Sequence, residues 1–142
     1  PTTVKLDIDG FGAVLFCHGT PRSDEEIVTS LTPEAVASEM VAGIEERVVV
    51  CGHTHVQFDR RVGGVRLVNA GSIGMPYEDE PGAYWALLGS VVQLMRTTYD
   101  LDAAAERVRA GGAPEVEGLI SSLRNPPNKR QTATQHEARA GR

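Results

Sequence analysis

A chain of 142 residues with 41% apolar side chains is long enough for one hydrophobic core and short for two. Its formal charge is −5 but uneven: residues 124–142 hold five basic side chains and one acidic, net +4, which leaves −9 on the rest and argues against a nucleic-acid binder. No apolar run nears the roughly 18 residues of a membrane span, and the first residues are polar rather than a secretory leader. Cys17 and Cys51 are too few for a disulfide scaffold, so a reducing cytoplasm is the expected compartment.

The N-terminal stretch predicts a hairpin. Val4, Leu6 and Ile8 alternate with polar residues, Asp9-Gly10 is a turn pair, and a buried-type run from Ala13 to Phe16 ends at His18-Gly19. After a polar loop, Thr32-Pro33 reads as an N-cap and first helical residue. Val36, Met40 and Ile44 recur every fourth position, which predicts a helix over 33–45. Arg47 to Val50 reads as a short buried strand.

Two further hairpins are expected, each with a two-residue turn, at Gly63-Gly64 and at Gly89-Ser90. Asp100 or Asp102 is placed to cap a helix over 101–110, stopped by Gly111-Gly112. Pro114 opens a last helix with Leu119, Ile120 and Leu123 as its apolar positions. Residues 125–142 show no hydrophobic period and read as a disordered, polar, basic tail. This order of elements predicts a layered α/β domain over 1–124 with a mixed sheet.

Three of the four histidines stand at strand ends. His18 follows the first buried strand; His53 and His55 follow the second, in Val-Val-Val-Cys-Gly-His-Thr-His. In open α/β sheets, ligands collect at the carboxyl ends of strands. In extended geometry His53 and His55, at i and i+2, point to the same side, where imidazoles can share one metal or serve two. An incidental histidine pair remains the other reading of the spacing. His136 sits in the polar tail and reads as unrelated. Cys17 and His18 alternate to opposite faces, which argues against a catalytic dyad and for small buried thiols. Arg22, after Pro21, could reach a phosphate or simply lie on the surface.

Taken in order, Phe-Cys-His-Gly-Thr-Pro-Arg-Ser at 16–23, Val-Cys-Gly-His-Thr-His at 50–55 and Leu-Val-Asn-Ala-Gly-Ser-Ile-Gly-Met-Pro at 67–76 resemble the C-terminal half of a calcineurin-like metallophosphoesterase, of the small bacterial phosphodiesterase type. The resemblance runs from Val4 to Pro127. It implies half of a four-layer α/β/β/α sandwich and a site for two divalent ions, Mn, Fe, Zn, Ni or Co. His18 and His53 match ligands of the second ion and His55 a ligand of the first, while Gly52, Asn69, Gly71 and Ser72 match structural positions beside the site. The implied substrate is a phosphodiester or phosphomonoester, a nucleic acid entering only in that role.

The departure from the family pattern is large. Its D-x-H, G-D and G-N-x-D/H motifs are absent from these 142 residues. They would supply a bridging aspartate, an asparagine and the general-acid histidine. The expected partner is therefore a missing N-terminal half or a second chain. The competing expectation is a non-catalytic protein-interaction module that keeps the fold, as a trafficking scaffold of this fold does.

Overall fold

A computed structural model of the chain describes residues 1–112 and 114–142. The first hairpin forms as β1 (Thr3–Ile8) and β2 (Gly12–Cys17), in the register Val4 opposite Phe16 and Leu6 opposite Val14. Its loop is Asp9, Gly10 and Phe11; Gly10 has φ 85°, and Phe11 N–H donates to Ile8 O at 2.9 Å.

Helix α1 (Glu34–Met40) is shorter than the expected 33–45. A turn replaces its last part, with Gly43 at φ 79°, yet Ile44 still packs against the same core as Met40. The expected Thr32 cap is also corrected: Pro33 is the N-cap, with no side-chain hydrogen bond. The Thr32 hydroxyl is used elsewhere, donating to Glu137 and accepting from Thr29 N.

Strands β3 (Val48–Cys51), β4 (Phe58–Val62) and β5 (Val65–Asn69) complete a five-stranded mixed sheet in the order β1-β2-β3-β5-β4. β3 lies parallel to β2 and to β5, and the outer pairings are antiparallel. Gly63 and Gly64, both at positive φ, make the two-residue turn that this hairpin requires. The last hairpin, β6 (Ala83–Leu88) and β7 (Val92–Thr97), forms a separate two-stranded sheet. Leu88 pairs with Val92, so its loop holds three residues rather than the expected two.

Side-chain alternation gives the central sheet two buried faces. On one, Leu15, Val49, Cys51 and Leu67 pack with Ala37, Met40 and Val41 of the α1 region. On the other, Val14, Val48, Val50 and Val68 meet Ala86, Leu88 and Val92 of the second sheet. A strand covered on both faces reads as a continuous apolar run, which is why Val48–Val50 carries no polar break. The result is the expected mixed α/β architecture, with a helix on one side of the main sheet and a second sheet on the other.

The inter-sheet layer is not fully closed. Val4 and Leu6 share the inner face of β1 with their partners Phe16 and Val14, yet they are 45% and 50% exposed. Leu94, opposite Ala86 on the inner face of the hairpin, is 38% exposed.

Helices α2 (Leu101–Ala110) and α3 (Val116–Arg124) pack on each other. Asp100 is the cap of α2, its carboxylate accepting from the N–H groups of Asp102 and Ala103. The expected disordered tail is corrected: residues 129–139 form helix α4 (Lys129–Arg139), with Thr132, Ala133, His136 and Glu137 buried. Its contacts are polar. Asn128 caps it by accepting from Gln131 N–H, and Asp79 accepts from Asn128 Nδ2 at 2.7 Å and from Lys129 N–H. At the other end the Glu137 carboxylate accepts from Thr29 Oγ1 (2.7 Å), Thr32 Oγ1 (2.6 Å) and Arg142 Nε (2.7 Å). Among the described residues no helix is long and apolar enough to cross a membrane.

Candidate metal centre

Because β2, β3 and β5 run parallel, their carboxyl ends share one edge of the sheet, and the segments after them carry the candidate residues. His18 follows β2 and His53 follows β3. The two segments are tied by Gly52 N–H donating to His18 O at 2.8 Å. The imidazoles meet edge to face, with His53 Nδ1 and His18 Nε2 3.1 Å apart. Two nitrogens bound to one ion at 2.0–2.1 Å and at tetrahedral to octahedral angles lie about 2.9–3.4 Å apart, so the observed separation suits adjacent ligands of one metal.

The expectation of an extended His53-Thr54-His55 segment is corrected. His53 (φ 64°) and His55 (φ 58°) both lie in the left-handed region. For non-glycine residues this costs of order 1–3 kcal/mol each and persists only where the surroundings over-determine it. Thr54, fully buried between them, donates its N–H to Gly52 O at 2.7 Å. Asn69, also fully buried, staples the turn: Nδ2 donates to Gly52 O (2.6 Å) and Thr54 Oγ1 (3.0 Å), while Oδ1 accepts from Gly71 N–H (2.9 Å).

His55 does not join the His18–His53 contact. Its ring stacks on Tyr77 with centroids 5.1 Å apart, and its Nδ1 is buried without a hydrogen-bond partner. Burial lowers the His55 pKa, opposed by a carbonyl contact from Met75 and reinforced by the charges of His53 and His18. His55 is therefore a neutral imidazole, the form that ligates metals. The structure thus pairs His18 with His53 and sets His55 close by. Among the described residues no three His, Cys, Asp or Glu side chains converge as a complete metal cage. The donor set fits part of a metal centre and lacks the carboxylates that would offset the charge of two ions.

The supporting residues are explained by packing. A Cβ on Gly71 (φ 82°) would meet Gln57 Cγ at 2.7 Å and Tyr84 Cβ at 2.9 Å. Ser72 Oγ accepts from Met75 N–H, and Ser72 O accepts from Tyr84 N–H. Gln57, which the sequence did not single out, reaches across the two sheets, its Nε2 within hydrogen-bond distance of the carbonyls of Ala70, Trp85 and Met95. Thr54 and Tyr77 were also not singled out. Each is an ordinary residue type whose role comes only from where the turn places it.

Burial pushes the Cys17 thiol up to about 11 and the Cys51 thiol higher still, so both are neutral packing groups. Arg22 does not face the histidines with a free guanidinium; it forks onto Glu26, with Nη2 2.5 Å from Oε1 and Nε 2.9 Å from Oε2. The reading of His136 as unrelated is corrected as well. Its ring is buried on α4 and also packs near Tyr77, with centroids 6.4 Å apart, so Tyr77 neighbours both His55 and His136.

No curated protein matches this chain in sequence. Among solved structures, the hypothetical protein PH1004 from Pyrococcus horikoshii OT3 superposes with a TM-score of 0.74 at 20% identity, over 90% of this chain and 52% of its own length. A metallophosphoesterase from Sphaerobacter thermophilus superposes with a TM-score of 0.69 at 22% identity, over 87% of this chain and 56% of its own. At such identities the likeness is one of fold, and the chain spans about half the length of both proteins. Residues 1–89, more than half the chain, match the calcineurin-like phosphoesterase superfamily domain. The chain belongs to the calcineurin-like phosphoesterase superfamily.

Proposed function

We propose that this chain supplies the histidine half of a metal-dependent phosphoesterase site, acting on a phosphodiester or phosphomonoester. The observation that carries this reading is the 3.1 Å approach of His18 Nε2 and His53 Nδ1 at the carboxyl ends of adjacent parallel strands. A divalent ion held by His18 and His53 would supply Lewis acidity toward a phosphoryl oxygen and a bound water. The chain's own residues hold and orient. His18 and His53 present paired ring nitrogens, His55 presents a third beside Tyr77, and Asn69 holds the turn that carries them.

The bridging carboxylate and the general acid belong, in this proposal, to residues outside these 142. The motifs that would carry them are absent here, and the chain covers only 52% and 56% of the two superposed structures. The open inter-sheet layer supports the same reading. Val4 and Leu6 on edge strand β1, with Leu94 across the layer, present apolar surface that additional strands would cover.

The test is hydrolysis of a chromogenic phosphodiester in Mn²⁺. The 142-residue chain alone is expected to turn over little or nothing. Mixed with or joined to a polypeptide carrying the D-x-H, G-D and G-N-x-D/H motifs, it should gain activity that His53→Asn lowers by about 100-fold or more. Full turnover by the chain alone would remove the half-site reading. An inert, metal-loaded combination of both halves would remove the phosphoesterase reading.

A further inference from the structure

Helix α4 lies outside the matched superfamily domain and closes one wall of a second cavity, of about 220 Å³, next to the candidate metal centre. Tyr77 forms part of its lining, so one aromatic ring is shared between this cavity and the His55 side of the centre. Along α4, Thr132, Gln135, His136 and Arg139 fall at i, i+3, i+4 and i+7, one face of the helix, and all four line the cavity together with Ser122 of α3. We propose that this cavity binds a phosphate group, either the second phosphate of a bisphosphorylated substrate or free phosphate. The substrate form of the proposal rests on the phosphoesterase reading above.

Three observations carry the assignment. First, the walls hold polar atoms that the protein leaves unsatisfied. Thr132 is 94% buried and His136 91% buried; Thr132 Oγ1 has no hydrogen-bond partner, and the His136 ring has only the Thr54 carbonyl beside it for its two nitrogens. Buried polar atoms without a partner are costly, so a site that keeps a hydroxyl and an imidazole nitrogen in that state suits a polar occupant. Second, the cavity, about 220 Å³ and open to solvent, has room for a phosphate group and a path for it to enter. Third, the lining is rich in donors and contains no carboxylate. Arg139 contributes a guanidinium that makes no ion pair among the described residues. Arginine, hydroxyl, amide and imidazole groups around a solvent-open pocket suit a tetrahedral anion with several acceptor oxygens, not a cation or an apolar group. The acidic groups of the neighbourhood are engaged elsewhere: Glu137 by Thr29, Thr32 and Arg142, and Glu78 by Gln57 N–H and Lys129.

The test follows the His136 ring C–H resonances by NMR while inorganic phosphate is added to the full chain, kept metal-free with excess chelator. Saturable shifts at His136 are expected in the unaltered protein and in His53→Asn. Arg139→Gln, which changes an exposed side chain, should weaken binding about tenfold, the loss expected for one charge-assisted hydrogen bond. Thr132→Val should weaken it further. An alkanediol bisphosphate separates the two sources. If it binds the metal-loaded protein more tightly than phosphate, and loses that advantage in either Arg139→Gln or His53→Asn, the cavity takes a substrate's second phosphate; equal binding of the two assigns it to free phosphate. No shift at His136, or unchanged affinity in Arg139→Gln, overturns the proposal. Failure of the phosphoesterase reading would show separately, as absent hydrolysis with the His136 response intact.

Discussion

The turn after β3 and helix α4 both place a histidine beside Tyr77, but they are built from opposite kinds of sequence. The turn is short and chemically loud: two histidines and a glycine directly behind four buried apolar residues. Helix α4 is long and quiet, a polar stretch whose buried face is Thr132, Ala133, His136 and Glu137. The turn is held by one fully buried side chain, Asn69, through three hydrogen bonds. The helix is held at both ends by carboxylates, Asp79 at its start and Glu137 near its finish. Hydrophobic periodicity detects elements that bury an apolar stripe. It is blind to an element that docks by satisfying hydrogen bonds.

The largest expected effect tests the turn. Asn69→Leu keeps the approximate volume but leaves Thr54 Oγ1 and Gly71 N–H without their partner and Gly52 O with only Thr54 N–H. With about 1–3 kcal/mol for each buried group left unpaired, the loss should be roughly 3–5 kcal/mol in urea unfolding. The same variant should lose the mutual contact of His18 and His53, seen as weakened Co²⁺ or Zn²⁺ uptake by titration. A loss below about 1 kcal/mol would mean that the left-handed residues are held by something other than Asn69.

The contrast explains what could be read in advance. The strands of the central sheet were legible because covering both faces forces continuous apolar runs such as Val48–Val50. The positions of His18 and His53 were legible because strand ends follow from those runs. The conformation between His53 and His55 was not, since two left-handed histidines depend on Asn69, sixteen and fourteen residues further on. Helix α1 ended early because Gly43 adopts a positive φ while Ile44 still reaches the core, so the four-residue spacing outlasted the helix itself. The role of Thr32 was misassigned because Glu137, more than a hundred residues away, competes for its hydroxyl.

An intermediate effect tests the helix. Glu137→Ala removes the acceptor shared by Thr29, Thr32 and Arg142 and leaves the guanidinium of Arg142 with only the Ile27 carbonyl. Hydrogen bonds to a charged group contribute about 1.5–3 kcal/mol each before relaxation, so a net loss of about 2–3 kcal/mol is expected. It should be local. Amide exchange should accelerate across residues 129–139 while the β2, β3 and β5 amides remain protected, because the sheet core contains no residue of α4. Equal acceleration in the sheet would show that α4 is part of the same cooperative unit, and the distinction between the two regions would fall.

The smallest effect is a pH dependence confined to the same helix. Burial acts to raise the Glu137 pKa, but the donors Arg142, Thr32 and Thr29 and the charge of Arg142 outweigh it, so the folded value lies below that of an ordinary glutamate. A carboxyl depressed in the folded state contributes stability that is fully present above its unfolded pKa and is lost as pH falls through the folded one. Docking of α4 should therefore hold constant through neutral pH and weaken only in acid, at and below the ordinary glutamate range. The Asn69 staple carries no titratable group, so the turn should not share this dependence except through its histidines. The check is amide exchange or backbone NMR at residues 129–139 and at the ends of β3 and β5 across an acid titration. Protection of α4 should fall first, and Glu137→Gln, which keeps an acceptor oxygen but cannot ionise, should flatten the pH dependence while lowering the plateau. An acid profile unchanged by Glu137→Gln would show that protonation of Glu137 is not what undocks the helix.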